Sequence, residues 1–191
     1  MPAGDQLTER EVTNVSDESR IEVAIVEQSV YIKPCGFATQ DNSLGIPDFL
    51  DGMFRAGCLF VVFDLQDCKG MDSTFLGVIA DAATAGRHRG EAKTAVIVNA
   101  DEANVRQLRR VGLLSLVKLH EGHVDQPEKL ELSQVDFIHL PGTEHQRLER
   151  IRDLHEQLAK LNEKNRRTFG PFLTMVEEEL RRHRKQEQRR E

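Results

Sequence analysis

Asp72, Ser73 and Thr74 set one carboxylate and two hydroxyls side by side, a short turn after the apolar run Cys58 to Phe63, at the point where a helical pattern begins. A hydroxyl in that position is suited to carry a phosphate. The first backbone N–H groups of a helix have no intrahelical partner and the macrodipole is positive there, so a phosphoryl group is stabilised within its own domain. Phosphorylation of Ser73 would add about −1.5 to −2 units of charge and three acceptor oxygens to a neutral face. A partner docked on that face would lose about tenfold in affinity for each ~1.4 kcal/mol of desolvation or repulsion. The plainer role for Ser73 is to cap the helix, worth ~1 kcal/mol, and that role is compatible with modification. Thr74 is the weaker acceptor of the two and is expected to pack its methyl group.

Other chemistries are less well supported by the residues present. A nucleophilic Ser73 would need one of the seven histidines as its base, yet none is close in sequence and the Gly-x-Ser-x-Gly elbow is lacking, so no catalytic residue is assigned. His120, Glu121, His123 and Asp125 are metal-ligand types at close spacing, but Gly122 among them points to a loop, and a metal site needs three or four fixed ligands. No metal and no cofactor are assigned. A phosphate-binding loop ending in Lys-Ser/Thr is absent. Cys35, Cys58 and Cys68 are odd in number with no Cys-x-x-Cys pair, and they read as small core residues.

The elements that must position Ser73 follow from periodicity. Val61 to Leu65 closes a short, continuously apolar strand of the kind covered on both faces. Asp72 and Ser73 are good N-cap types, and Leu76, Val78, Ile79 and Ala82 then recur at helical spacing as far as Gly86. Arg87-His88-Arg89 reads as a basic helix end that complements the dipole. Strands are expected at Ile21 to Glu27, Val30 to Pro34 and Thr94 to Val98, with an edge strand at Val135 to Leu140. Helices are expected from Ile46, with Phe49, Leu50, Met53 and Phe54 on one face, and from Asp101. This alternation predicts an α/β fold, a mixed β-sheet packed with helices, because parallel strands need crossovers of this size.

In sequence, Asp64-Leu65, then Asp72-Ser73-Thr74-Phe75-Leu76-Gly77, then the strand Thr94 to Val98, the helical stretch Ala103 to Arg110 and Val111-Gly112-Leu113-Leu114 resemble the STAS domain of anti-sigma factor antagonists over roughly residues 21 to 140. The resemblance implies a STAS-like fold and a binding protein, not an enzyme. In that scheme the unphosphorylated form binds an anti-sigma factor that is also a serine kinase, phosphorylation of Ser73 breaks the complex, and a serine phosphatase resets it. Position by position it gives Ser73 as the phosphoacceptor, with Asp72, Thr74, Phe75 and Gly77 as the partner-binding surface around it. Two departures stand out. Phe75 replaces a frequent Gly and sets a large ring beside the site, and Gly36-Phe37-Ala38-Thr39 lacks an acidic residue that many members carry there.

Length and composition agree with a compact domain plus an appendage. The net charge of −6 argues against direct binding to nucleic acid, although the chain from Gly142 onward has 13 Lys plus Arg against 10 Asp plus Glu. No segment approaches the ~20 apolar residues of a membrane helix, and the polar N-terminus lacks the pattern of a signal peptide, so a cytoplasmic location without membrane insertion is expected. Residues 1–20 read as a disordered arm or edge cover, 21–140 as the STAS-like domain and 141–191 as a C-terminal α-helical extension. In the extension Ile151, Leu154, Leu158 and Leu161 form one apolar seam, with Leu148 beside it. Asn162 and Asn165 interrupt the pattern, and Phe169, Phe172, Leu173, Val176 and Leu180 form another seam, with Gly170-Pro171 expected to bend or restart the helix. These seams either dock on the domain and on each other or serve a partner or homodimer. The alternative for the whole chain is a constitutive STAS scaffold, including a subunit of a lipid or anion transport complex, without a phosphate cycle.

Overall fold

A computed structural model describes residues 19–87, 95–125, 130–135, 137 and 142–188. Strand β1 (Arg20–Val26) turns at Glu27, φ 53°, into β2 (Ser29–Ala38), its antiparallel neighbour. Then come α1 (Gln40–Ser43), α2 (Ile46–Arg55), β3 (Phe60–Asp64), β4 (Cys68–Met71) and α3 (Ser73–Arg87). They are followed by β5 (Ala95–Val98), α4 (Glu102–Val111), a 3-10 turn at Leu113–Ser115, and the short strands β6 (Lys118–Leu119) and β7 (Ser133–Val135). Two helices close the described chain, α5 (Glu144–Leu161) and α6 (Glu163–Glu187).

The sheet is mixed, as the alternation of elements predicts. Its order is β6-β5-β3-β2-β1-β7, with β4 beside β2. Strands β2, β3, β5 and β6 are parallel neighbours, while β1 and β7 run antiparallel to the strands beside them. Each parallel step is made by a crossover helix: α2, α3 and α4 in turn. Val30, Ile32, Val61, Phe63, Ala95 and Ile97 are paired in register on one face and are all buried, and Ile46, Leu50, Phe75, Val78, Ile79 and Leu108 of the helices join them in the core.

Several expectations are refined. Val135 to Leu140 is not one continuous strand in the described part: β7 covers Ser133–Val135, Phe137 is buried, and 136 and 138–140 lie outside the described residues. Strand β4 replaces part of the expected turn before Asp72. It pairs with the end of β2, which runs past Gly36 (φ 77°) to Ala38. Asn104 of α4 holds β4 by donating to the Cys68 carbonyl at 2.9 Å. The N-terminal arm up to residue 18 and His88-Arg89 lie outside the described residues.

The C-terminal extension docks on the domain and on itself. Leu154 and Leu158 belong to the main core, while Ile151, Val176 and Leu180 form a small cluster within the α5–α6 hairpin. The expected bend at Gly170-Pro171 does not interrupt α6, which runs through it. Pro171 stands on the exposed side, where a carbonyl deprived of its amide partner can turn to water. The break falls at Asn162, where the sequence reading expects an interruption: its extended backbone (φ −165°, ψ 166°) ends α5 and its side chain caps α6 by accepting from the Asn165 N–H. Asn165 in turn donates to the carbonyls of Val111 and Leu158, both at 2.9 Å, tying the hairpin to the end of α4.

Helix α5 lies so close to α3 that a Cβ on Gly77 would stand 2.8 Å from both the Cβ and the carbonyl oxygen of Leu154. Backbone cannot yield as a flexible side chain would, so Gly77→Ala is expected to lower the unfolding free energy by about 1–3 kcal/mol through overpacking. Helix propensity returns up to ~1 kcal/mol of this, so the net loss is expected to reach about 2 kcal/mol. Urea unfolding measures the difference, and an Ala variant at least as stable as the parent would contradict the docking of α5.

Candidate functional site

Asp72 organises the head of α3. Its N–H donates to the Ala38 carbonyl at 2.9 Å, which continues the β2–β4 pairing to the last residue before the helix. One carboxylate oxygen accepts from the Phe75 N–H at 2.9 Å, so Asp72 is the N-cap of α3. The other accepts from the Gln40 N–H at 2.7 Å, the first amide of α1. One side chain thus satisfies the heads of two helices. Ser73 is therefore the first residue inside the helix and not its cap, which corrects the capping role that its residue type predicts.

The freed Ser73 hydroxyl meets His155 of α5, Oγ to Nε2 at 2.9 Å. The other ring nitrogen, Nδ1, is 2.8 Å from the Ile151 carbonyl oxygen, which can only accept. Nδ1 therefore carries the proton, Nε2 of the neutral ring accepts, and the Ser73 hydroxyl donates. His155 is 3% exposed and packs against Phe169 and Phe172, with ring centroids 5.7 and 4.4 Å away. Burial pushes its pKa below the usual imidazole value, and the Ile151 hydrogen bond and nearby Asp72 only partly oppose this.

The other residues expected around the site turn inward. Thr74 is 2% exposed, Phe75 is fully buried, and Gly77 is buried under Leu154. The Phe75 ring packs edge-on against Phe63 at 6.0 Å, so it is part of the core and does not stand in the path of an approaching protein. Of the five residues predicted for this site, Asp72 and Ser73 are partly accessible, whereas Thr74, Phe75 and Gly77 lie in the interior, Phe75 against the sheet and Gly77 under α5. The exposed residue nearest in the strand pairing is Phe37 at 54%, opposite Gly70 of β4.

Elsewhere, His123 reaches Asp125 at 3.2 Å on an exposed loop, and among the described residues no group of three or more His, Cys, Asp or Glu is arranged to hold a metal ion. The three cysteines are buried and free. A cavity of about 430 Å³ between α2, α3 and α5 is lined by Asp48, Asp51, Asp81, Arg150 and Asp153 among others, and neither Ser73 nor His155 lines it. Burial raises the Asp81 pKa, with Asp51 adding to the effect. The sequence reading missed His155. Its one local signal is a place on the α5 seam, four residues after Ile151 and three before Leu158.

No protein-family model matches the chain, and neither does any curated protein at a significant level. Solved structures similar to it include the anti-sigma factor antagonist SpoIIAA in its unphosphorylated form, with a TM-score of 0.43 and 11% identity over 53% of this chain and 88% of that one. A candidate anti-sigma factor antagonist from Thermotoga maritima gives 0.47 and 21% over 53% and 86%. An uncharacterised Shewanella loihica protein with a SpoIIAA-like fold gives 0.36 and 17% over 55% and 88%. The architecture of this chain is a mixed β-sheet packed with crossover helices, with an Asp-Ser-Thr helix start following the central strands, as the alternation of elements in the sequence predicts.

Removing the Asp72 carboxylate in Asp72→Ala leaves the Phe75 and Gln40 amides without their acceptor and is expected to cost about 1–2 kcal/mol in urea unfolding, the upper range for a cap. Asp72→Asn, which keeps an acceptor, should recover part of it. His155 gives a pH signature. Because its folded pKa is depressed, its contribution to stability is complete above the ordinary value of about 6.5 and is lost as pH falls from there toward the folded pKa, where the unfolded ring takes the proton first. The loss of stability between pH 7 and 5 should therefore be smaller in His155→Gln than in the parent. Asp81 titrates in the opposite sense in both proteins and cancels in the comparison.

Proposed function

We propose that this chain is a phosphorylation-gated anti-sigma factor antagonist, with Ser73 as the phosphoacceptor. The observation that carries this reading is the division of labour at the head of α3: Asp72 takes the capping duty, and the Ser73 hydroxyl is left at the positive end of a 15-residue helix without a role in holding it. The unphosphorylated form binds an anti-sigma factor that is also its serine kinase, and a serine phosphatase removes the phosphate. On this reading the chain is a substrate of other enzymes, works in the cytoplasm and needs no cofactor. Among the described residues no helix is long and apolar enough to cross a membrane.

Intact-mass and site-mapping spectrometry on protein from its native cells, before and after phosphatase treatment, should find one phosphate, on Ser73. In binding assays against the anti-sigma factors of the same cells, Ser73→Ala should keep its partner and Ser73→Glu should weaken binding by about 100-fold, the equivalent of ~3 kcal/mol of repulsion and desolvation. Equal binding by both variants, with no phosphate found, would support the constitutive scaffold instead.

The Ser73–His155 hydrogen bond also favours a second reading, a hydrolase in which His155 is the base for a Ser73 nucleophile. In this arrangement a backbone carbonyl, not a carboxylate, orients the imidazole, and the Ser73 hydroxyl faces α5 and not the 430 Å³ cavity. Turnover of a p-nitrophenyl ester that disappears in both Ser73→Ala and His155→Gln would establish that reading, and its absence in the parent protein would remove it.

A further inference from the structure

We propose that the α5–α6 hairpin is a latch on Ser73: phosphorylation of Ser73 and docking of the hairpin on α3 exclude one another, so that modification releases the hairpin. This rests on the phosphoacceptor reading of Ser73. In the modification, a bond forms between Oγ and the terminal phosphorus of a nucleoside triphosphate held by the kinase. The bond from that phosphorus to its bridging oxygen breaks, and the serine proton passes to the kinase's base. That proton is the one that now holds His155 at 2.9 Å. Once it is replaced, the lone pair of a neutral Nε2 faces phosphate oxygens that at about pH 7 are mostly unprotonated acceptors.

The ring has no alternative orientation in the docked hairpin. Nδ1 is fixed to the Ile151 carbonyl at 2.8 Å, and Phe169 and Phe172 pack against the ring. Protonating Nε2 to meet the phosphate is opposed by burial, since His155 is 3% exposed. The Asp72 carboxylate, next in sequence to the acceptor, repels the added charge. One turn along α3 on the same side, α5 comes so close that even a methyl group on Gly77 would collide with the Leu154 backbone. The hairpin, however, can leave as a unit. Ile151, Val176 and Leu180 pack together within it; what it gives up on leaving is the burial of Leu154 and Leu158 in the main core and the ties from Arg150 to Asp48 and from Asn162 and Asn165 to the Val111 carbonyl. A surface built jointly from the domain and the hairpin would thus come apart on modification, which gives a single phosphate leverage over a partner that spans both.

Hydrogen–deuterium exchange of the full-length chain, read by mass spectrometry, tests the latch without any kinase. In Ser73→Glu the amides of α5 and α6 should exchange at least about tenfold faster than in the parent, equivalent to ~1.4 kcal/mol, while β3 and β5 keep their protection. Ser73→Ala, which leaves Nε2 without its donor but adds neither charge nor bulk, should raise exchange of α5 and α6 less than either acidic variant does. Ser73→Asp repeats the charge on a shorter side chain should the Glu variant fail to fold. Hairpin exchange that is unchanged or slower in the acidic variants, or protection lost equally from β3 and β5, overturns the latch. That failure is separate from failure of the phosphoacceptor reading, which is decided by the absence of phosphate on Ser73 in native cells.

Discussion

Helix α3 is covered on two sides, by the sheet and by α5, and the arrangement of the rest of the molecule follows from that burial. A helix buried on one face needs an apolar stripe, whereas one buried on two needs apolar or small residues almost all round. Thr74, Phe75, Leu76, Val78, Ile79, Ala80, Ala82 and Ala83 are all buried. The large residues Phe75 and Ile79 belong to the main core, while Gly77 stands where α5 comes closest and no side chain fits. Burying Leu154 and Leu158 on this assembly contributes about 1.5–3 kcal/mol each, so the C-terminal extension is an integral layer of the fold.

The same burial explains why the head of α3 is polar and why its polar groups are apportioned as they are. A helix whose head is partly buried must have its first amides satisfied, and water can reach them only in part. Asp72 meets this need for α3 and α1 together with its two carboxylate oxygens. Ser73, no longer required as a cap, pairs with His155, and the imidazole is held neutral by desolvation in the form that accepts the hydroxyl proton. Charge at the site is therefore carried by Asp72 alone. A further negative group on Ser73 would enter a space arranged for a donated proton.

Much of this was legible in the sequence. The central strand, the helix starts near Ile46, Ser73 and Asp101, the mixed sheet and the two apolar seams of the extension all come from local periodicity and capping chemistry, which act over a few residues and leave their mark in composition. The elements that were missed lack such a mark. Cys68-Lys69-Gly70-Met71 has no strand pattern of its own and becomes β4 only because β2 offers it an edge. Gly170-Pro171 has the look of a helix break, yet Asn162, with an extended backbone and a side chain able to cap, supplied the break first.

By itself, then, the sequence determined that Ser73 stands at the head of a helix following a buried strand in an α/β sheet, because strand and helix signals are short-range and the Asp-Ser-Thr order is fixed by the chain. Only the tertiary structure decided what the Ser73 hydroxyl touches. Its partner lies 82 residues away, on a helix whose apolar seam could have docked anywhere with a complementary face. The seam announces that α5 will be buried. The glycine at 77 and the absence of any side chain there choose the place, and that choice brings His155 to Ser73.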